Sequence, residues 1–312
     1  MINCNICFED KSDIKKCINN CSGEFCRDCC SRIDKNICPN CRGVLMTDDE
    51  LLYCKISDNK LNIPKCNLTS VISISFLTEL YINNNKLTSL PSFPSLKILN
   101  CSHNRISKIN GDMPNLIELY CTFNRISTVP KFEKLEILEC EFNNITFIHP
   151  SKNLQYLMCS DNKLKKIYKY TKLKTLDCSH NNLTSIPYMR SLYHLDCSYN
   201  HLKSVCKYPV LLQLECSNNN IEFLNPYPKL RRLYCNFNLL DRIPSYENLI
   251  ELECTDNSIH ILNNYPSLID LDCRENKISI IKDIPKLKKL DIRKNVPLKH
   301  FINVGNFINV EL

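Results

Sequence analysis

A period of 19 residues constrains this chain more than any other feature. Leu77, Leu96, Leu116, Leu135, Leu154, Leu173, Leu192, Leu211, Leu230, Leu249, Leu268 and Leu287 each open a line that reads Leu-x-x-Leu-x-Cys-x-x-Asn-x-Leu-x-x-Ile-Pro, with one step of 20 after Leu96. A degenerate unit starts at Asp58, and Phe307, Val310 and Leu312 look like a final half unit. Self-similarity at such a short period predicts stacked units, each unable to bury its apolar side without its neighbours. Prolines such as Pro91, Pro130, Pro187 and Pro244 follow the fifth apolar position of their units. Proline lacks the donor that a helix interior needs, so the return segments should be extended.

This pattern resembles the leucine-rich repeat, at the short end of its length range, and is similar to the compact repeats of bacterial effector proteins. The resemblance implies a curved solenoid over residues 58–312, with about 13 units, a parallel concave sheet, an extended non-helical convex side and a C-terminal half-repeat cap. Asn85, Asn104 and the ten ladder asparagines up to Asn295 should form a buried column that satisfies the turn leaving each strand. Ten cysteines from Cys101 to Cys273 should form an inward column, in a slot that Ile63, Ile82 and Ile292 occupy in other units.

The concave face is where a solenoid binds its target. The fifth position of successive units supplies Tyr120, Glu139, Asp177, Asp196, Glu215, Tyr234, Glu253 and Asp272 to that face. The eighth position adds Phe123, Phe142, Tyr199 and Phe237. The chain carries a formal charge of +7, but lysines collect on return segments such as Lys163-Leu164-Lys165-Lys166. The face itself reads acidic, which repels a phosphate backbone. A basic protein or peptide is therefore the expected partner, steered by acids and anchored by aromatics; neither nucleic acid nor membrane is expected.

Residues 1–46 read differently. Nine cysteines fall between Cys4 and Cys41, and eight of them form pairs: Cys4/Cys7, Cys17/Cys21, Cys26/Cys29 and Cys38/Cys41. Four pairs can bind two zinc ions through four thiolates each. So short a segment buries too little apolar surface to fold alone, so the metal would supply folding energy. The order and intervals over residues 4–42 resemble a RING domain in its all-cysteine form. They include Cys4-Asn5-Ile6-Cys7, Phe25-Cys26-Arg27-Asp28-Cys29 and Ile37-Cys38-Pro39-Asn40-Cys41-Arg42. Gly23 stands where the common form has its histidine. The resemblance implies a small α+β cross-braced domain, with Cys4, Cys7, Cys26 and Cys29 on one zinc and Cys17, Cys21, Cys38 and Cys41 on the other. It leaves Cys30 over, either as a small apolar residue on a short helix or as a ligand. It further implies a ubiquitin-conjugating enzyme as partner, contacted by Ile6, Ile33 and Pro39. Arg42 would stand at the linchpin position between that enzyme and ubiquitin. Such a ligase has no nucleophile of its own and works by positioning the thioester.

Between these regions, Thr47-Asp48-Asp49-Glu50 is a capping box, and residues 47–57 are expected to form a capping helix or packed junction. Spacings that need thiols, without a visible secretory signal, point to a reducing compartment: cytoplasm or nucleus, the host's if the chain is viral. No other enzyme signature appears: only four glycines are present, and the seven histidines are scattered. Two readings follow. One is a RING-type ubiquitin-protein ligase whose repeats select substrate. The other is a non-catalytic adaptor in which a structural zinc module is joined to a binding array.

Overall fold

A computed structural model of the chain describes residues 58–71, 73–109 and 112–305 in full, and the backbone of short strands at Ile2–Asn3, Asp10–Lys11, Ile14–Lys16, Glu24–Cys26, Lys55–Ser57 and Asn309–Glu311. The chain divides into two compact units, Met1–Leu135 and Glu136–Leu312.

In the first unit, Ile2–Asn3 pairs antiparallel with Asp10–Lys11, and Ile14–Lys16 pairs antiparallel with Glu24–Cys26. Lys60–Asn62, Glu79–Tyr81, Ile98–Asn100 and Glu118–Tyr120 then stack as parallel strands with Leu61, Leu80, Leu99 and Leu119 in register. Lys55–Ser57, expected within a capping helix or junction, is instead a strand antiparallel to Lys60–Asn62. It pairs the backbone groups that the first strand of a sheet would otherwise leave open, a task a helix performs only by packing. Residues 47–54 lie outside the described residues.

In the second unit, nine further strands run in parallel from Ile137–Glu139 to Lys289–Asp291. Each contributes one buried leucine between two half-buried or exposed neighbours, because successive side chains on a strand point to opposite faces. No helix occurs among the described residues. The return side is extended, and in this unit part of it pairs as well: Ile261–Asn263, Ile280–Ile284 and His300–Val304 form a second parallel sheet. Tyr208, Tyr227, Tyr246 and Tyr265 fill the return side, and their hydroxyls donate to carbonyls one unit back, at Pro187, Val205, Asn225 and Ile243.

The cysteine column is fully buried from Cys101 to Cys273. Several thiols donate to the carbonyl of the next unit's fifth residue, as Cys159 does to Asp177 at 3.2 Å and Cys197 to Glu215 at 3.3 Å. Burial pushes these thiols well above their ordinary range, so they stay protonated.

The asparagine column closes each turn. Asn181 Nδ2 donates to the carbonyls of Cys159 (2.9 Å), Cys178 (3.2 Å) and Ser179 (3.0 Å), while its Oδ1 accepts the Leu164 N–H at 2.8 Å. One side chain thus serves its own turn and the unit before it. Only a primary amide offers two donors and an acceptor at that reach. Replacing it leaves the buried Leu164 N–H without a partner, at about 1–3 kcal/mol, and removes one bond from each of three carbonyls that keep another donor. Asn181→Ala is therefore expected to cost about 3 kcal/mol or more, read as a fall in the urea midpoint. The exposed Asn182→Ala should stay within about 0.5 kcal/mol of wild type.

Candidate functional site

The asparagine turn determines what the sheet presents next to it. The residue just before each ladder asparagine adopts a left-handed backbone: φ lies between 51° and 58° at all twelve such positions, from Asn84 to Lys294. None of them is glycine, although a side chain there costs about 1–2 kcal/mol. Ten of these N–H groups donate forward to the next unit, as His180 does to Ser198 at 3.0 Å and Tyr199 to Ser217 at 2.9 Å. The turn throws the eighth side chain outward. Phe123, Phe142, Tyr199 and Phe237 are each 44–50% exposed, placed at the rim of the strands rather than on them. Neighbouring rings meet there: His103 stacks on Phe123 at 4.6 Å, and His180 on Tyr199 at 4.0 Å with planes 13° apart.

The fifth-position residues lie half-buried on the sheet face, in parallel register strand to strand. Their charges fare differently along the row. Asp270 meets Lys289 at 2.7 Å, Asp272 meets Arg274 at 2.6 Å, and Asp291 meets Arg293 at 2.6 Å. Asp272, expected on the binding face, is therefore already neutralised from within the chain. Glu139, Asp177, Asp196, Glu215 and Glu253 take part in no ion pair among the described residues. The last four are held by neutral donors instead. Asp177 accepts the Ser179 N–H and hydroxyl, Asp196 the Ser198 N–H at 2.9 Å, Glu215 the Gln213 amide at 2.7 Å, and Glu253 the Asn236 amide at 3.0 Å.

Asp196, Glu215 and Glu253 line a depression of ≈ 370 Å³ in the second unit. It brings together six of the predicted contact residues: Asp196, Tyr199, Glu215, Tyr234, Phe237 and Glu253. Tyr120 and Phe123 belong to the first unit, and Glu139, Phe142 and Asp177 lie outside the depression's lining. The sequence reading passed over the depression's other walls: His180, Asn218, Asn236 and the serines 179, 198 and 217. A signal was present, since the seventh position reads serine in four successive units from Ser160 to Ser217.

Burial pushes the Asp196 carboxyl up to about 6; the Ser198 N–H opposes this, while Asp177 and Glu215 on the flanking strands add to it. Burial also pushes Tyr234 up to about 12, helped by its bond to Glu251. Among the described residues no group of three or more His, Cys, Asp or Glu is arranged to hold a metal ion. The expected zinc ligands Cys4, Cys7, Cys17, Cys21, Cys26, Cys29, Cys38 and Cys41 lie outside the residues whose side chains are described, as do Ile6, Ile33, Pro39 and Arg42.

Comparison with known proteins agrees with this geometry. Patterns of leucine-rich repeats match residues 75–112, 94–134 and 172–189. The fold is that of a leucine-rich repeat solenoid. YopM, a leucine-rich effector protein from Yersinia pestis, is similar in structure, with a TM-score of 0.71 at 22% identity over 81% of this chain and 78% of its own. The functional domain of InlJ from Listeria monocytogenes, which includes a cysteine ladder, gives 0.55 at 21% over 84% and 71%. A plant peptide hormone receptor in complex with RGF2 gives 0.59 at 22% over 75% and 48%. No curated protein matches the sequence.

The Asp196 shift fixes the sign of a pH effect. Its folded-state affinity for a proton exceeds that of the unfolded chain, so stability falls as pH rises from about 4 to about 6 and the full cost is present above that. Asp196→Asn should raise stability at pH 7.5 by about 2 kcal/mol and by nothing below pH 4. Urea midpoints at the two pH values test this; a gain equal at both would contradict it.

Proposed function

We propose that this chain is a protein-binding scaffold whose repeat array captures a basic segment of its partner. One observation carries the reading: a run of carboxylates without intramolecular cations, bordered by exposed aromatic rings, on a rigid parallel face. Acids left without internal partners supply steering and specificity, and the rings supply apolar anchorage. Solenoids of this fold bind proteins as a class, and the similar plant receptor is solved with RGF2 bound. The array would work in a reducing compartment, in keeping with its column of protonated thiols. Full-length protein should bind a hexalysine peptide and not hexaglutamate, and Glu215→Gln with Glu253→Gln should weaken hexalysine about tenfold, as read by calorimetry. Binding of neither hexalysine nor hexa-arginine would contradict the basic-partner reading.

The amino-terminal cysteine pattern supports a second reading, in which two zinc ions held by Cys4, Cys7, Cys26, Cys29 and by Cys17, Cys21, Cys38, Cys41 build a RING. The scaffold would then be a ubiquitin-protein ligase. Ile6, Ile33 and Pro39 would receive the conjugating enzyme, and Arg42 would bridge it to ubiquitin through its planar fork of donors. This reading expects two zinc ions per chain by elemental analysis, with about one lost in Cys38→Ser. It expects ubiquitin-chain formation with a panel of conjugating enzymes, abolished in Arg42→Ala at unchanged zinc content. Two bound zinc ions without chain formation would leave the adaptor reading alone.

A further inference from the structure

We propose that the groove reads arginine rather than basic charge in general, with a target guanidinium seated in the slot over Asn218 between the rings of Tyr199 and Phe237. The inference rests on the basic-partner reading and deepens it.

The slot follows from the order of residues along the rim. His180 covers one face of Tyr199 at 4.0 Å with nearly parallel planes. The Tyr199 ring therefore stands across the direction in which strands succeed one another, and its other face looks toward the following unit. The rim residue of that unit is Asn218, too short to cover a ring. One unit further comes Phe237, half exposed like Tyr199. Two strand spacings set these aromatic positions roughly 10 Å apart, room for a flat group to stack against a ring.

The floor beside this gap is charged and unpaired. Asp196, Glu215 and Glu253 line the same depression, and none is in an ion pair among the described residues. The adjacent depression, around Asp270, Asp272 and Asp291, contrasts with it: there the carboxylates are already matched by Lys289, Arg274 and Arg293. The chain supplies its own cations on one side and leaves them to a partner on the other.

Rings and carboxylates together select between the two basic side chains. A guanidinium is planar and weakly hydrated; it stacks on aromatic faces while its edge donates in pairs to carboxylates. A lysine ammonium is a compact, strongly hydrated charge with no face to stack. Acids alone would treat the two almost alike; acids beside an open ring face would not.

The test compares fluorescein-labelled hexa-arginine and hexalysine binding to the full-length chain by anisotropy at about physiological ionic strength. Hexa-arginine is expected to bind at least about tenfold tighter. Tyr199→Ala or Phe237→Ala should lower hexa-arginine affinity about fivefold or more and hexalysine affinity by clearly less, whereas Glu215→Gln should weaken both alike. Asn218→Phe, a residue the rim already accepts at Phe123, Phe142 and Phe237, should close the slot and remove the preference with the fold kept, as read by circular dichroism. Equal affinity for the two peptides in the wild type would overturn the arginine inference and leave the basic-partner reading in place. Binding of neither would overturn both.

Discussion

Everything on the sheet face depends on one buried amide per unit. From Asn162 to Asn295 each ladder asparagine ties its own turn to the carbonyl of the cysteine 22 residues earlier and receives an N–H from 17 residues back, as Asn200 does with Cys178 and Leu183. Backbone groups buried in so tight a turn must be paired, because each one left bare costs about 1–3 kcal/mol. Once the amide fixes the turn, the residue before it is forced into the left-handed region, and its N–H is aimed at the next unit. A structural requirement thus sets a row of outward-facing side chains at a regular interval.

The inward slots show the same economy from the apolar side. A fully buried column needs a residue small enough for 19-residue units to close around it, and cysteine meets that need while its weak S–H reaches a carbonyl of the next strand. On the return side, buried tyrosines supply bulk that the short, helix-free segment lacks, and their hydroxyls bond a carbonyl of the preceding unit. Leucine, cysteine, asparagine and tyrosine each tie one unit to the next. At the fifth and eighth positions the backbone carries most of that duty, so their side chains vary from unit to unit.

Much of this was legible in the sequence because it is periodic. The strand leucines, the asparagine column and the cysteine column repeat at fixed offsets, so their burial follows from counting. Three things did not follow. The left-handed rim has no glycine to mark it; Phe237 and Tyr199 occupy a conformation that composition argues against. Neutralisation of Asp272 comes from Arg274, two residues on and outside the fifth and third positions read for charge, so a row-by-row count misses it. Lys55–Ser57 sits behind a sequence with a helix start at Thr47, yet an open sheet edge nearby offers a ladder that local propensity does not register. In each case a neighbour in space outweighs a local preference.

The charge of the chain illustrates why position matters more than sum. Its net +7 would suggest an anionic partner, yet the exposed lysines at 163, 165 and 166 lie on a return segment. The carboxylates of Asp177, Asp196 and Glu215 lie one strand apart on the sheet. Screening in physiological salt reaches about 8 Å. A partner approaching the sheet therefore senses the row beneath it far more than the total. The repeat creates this separation, since every unit returns the fifth residue to the same face and the lysines after the ladder asparagine to another.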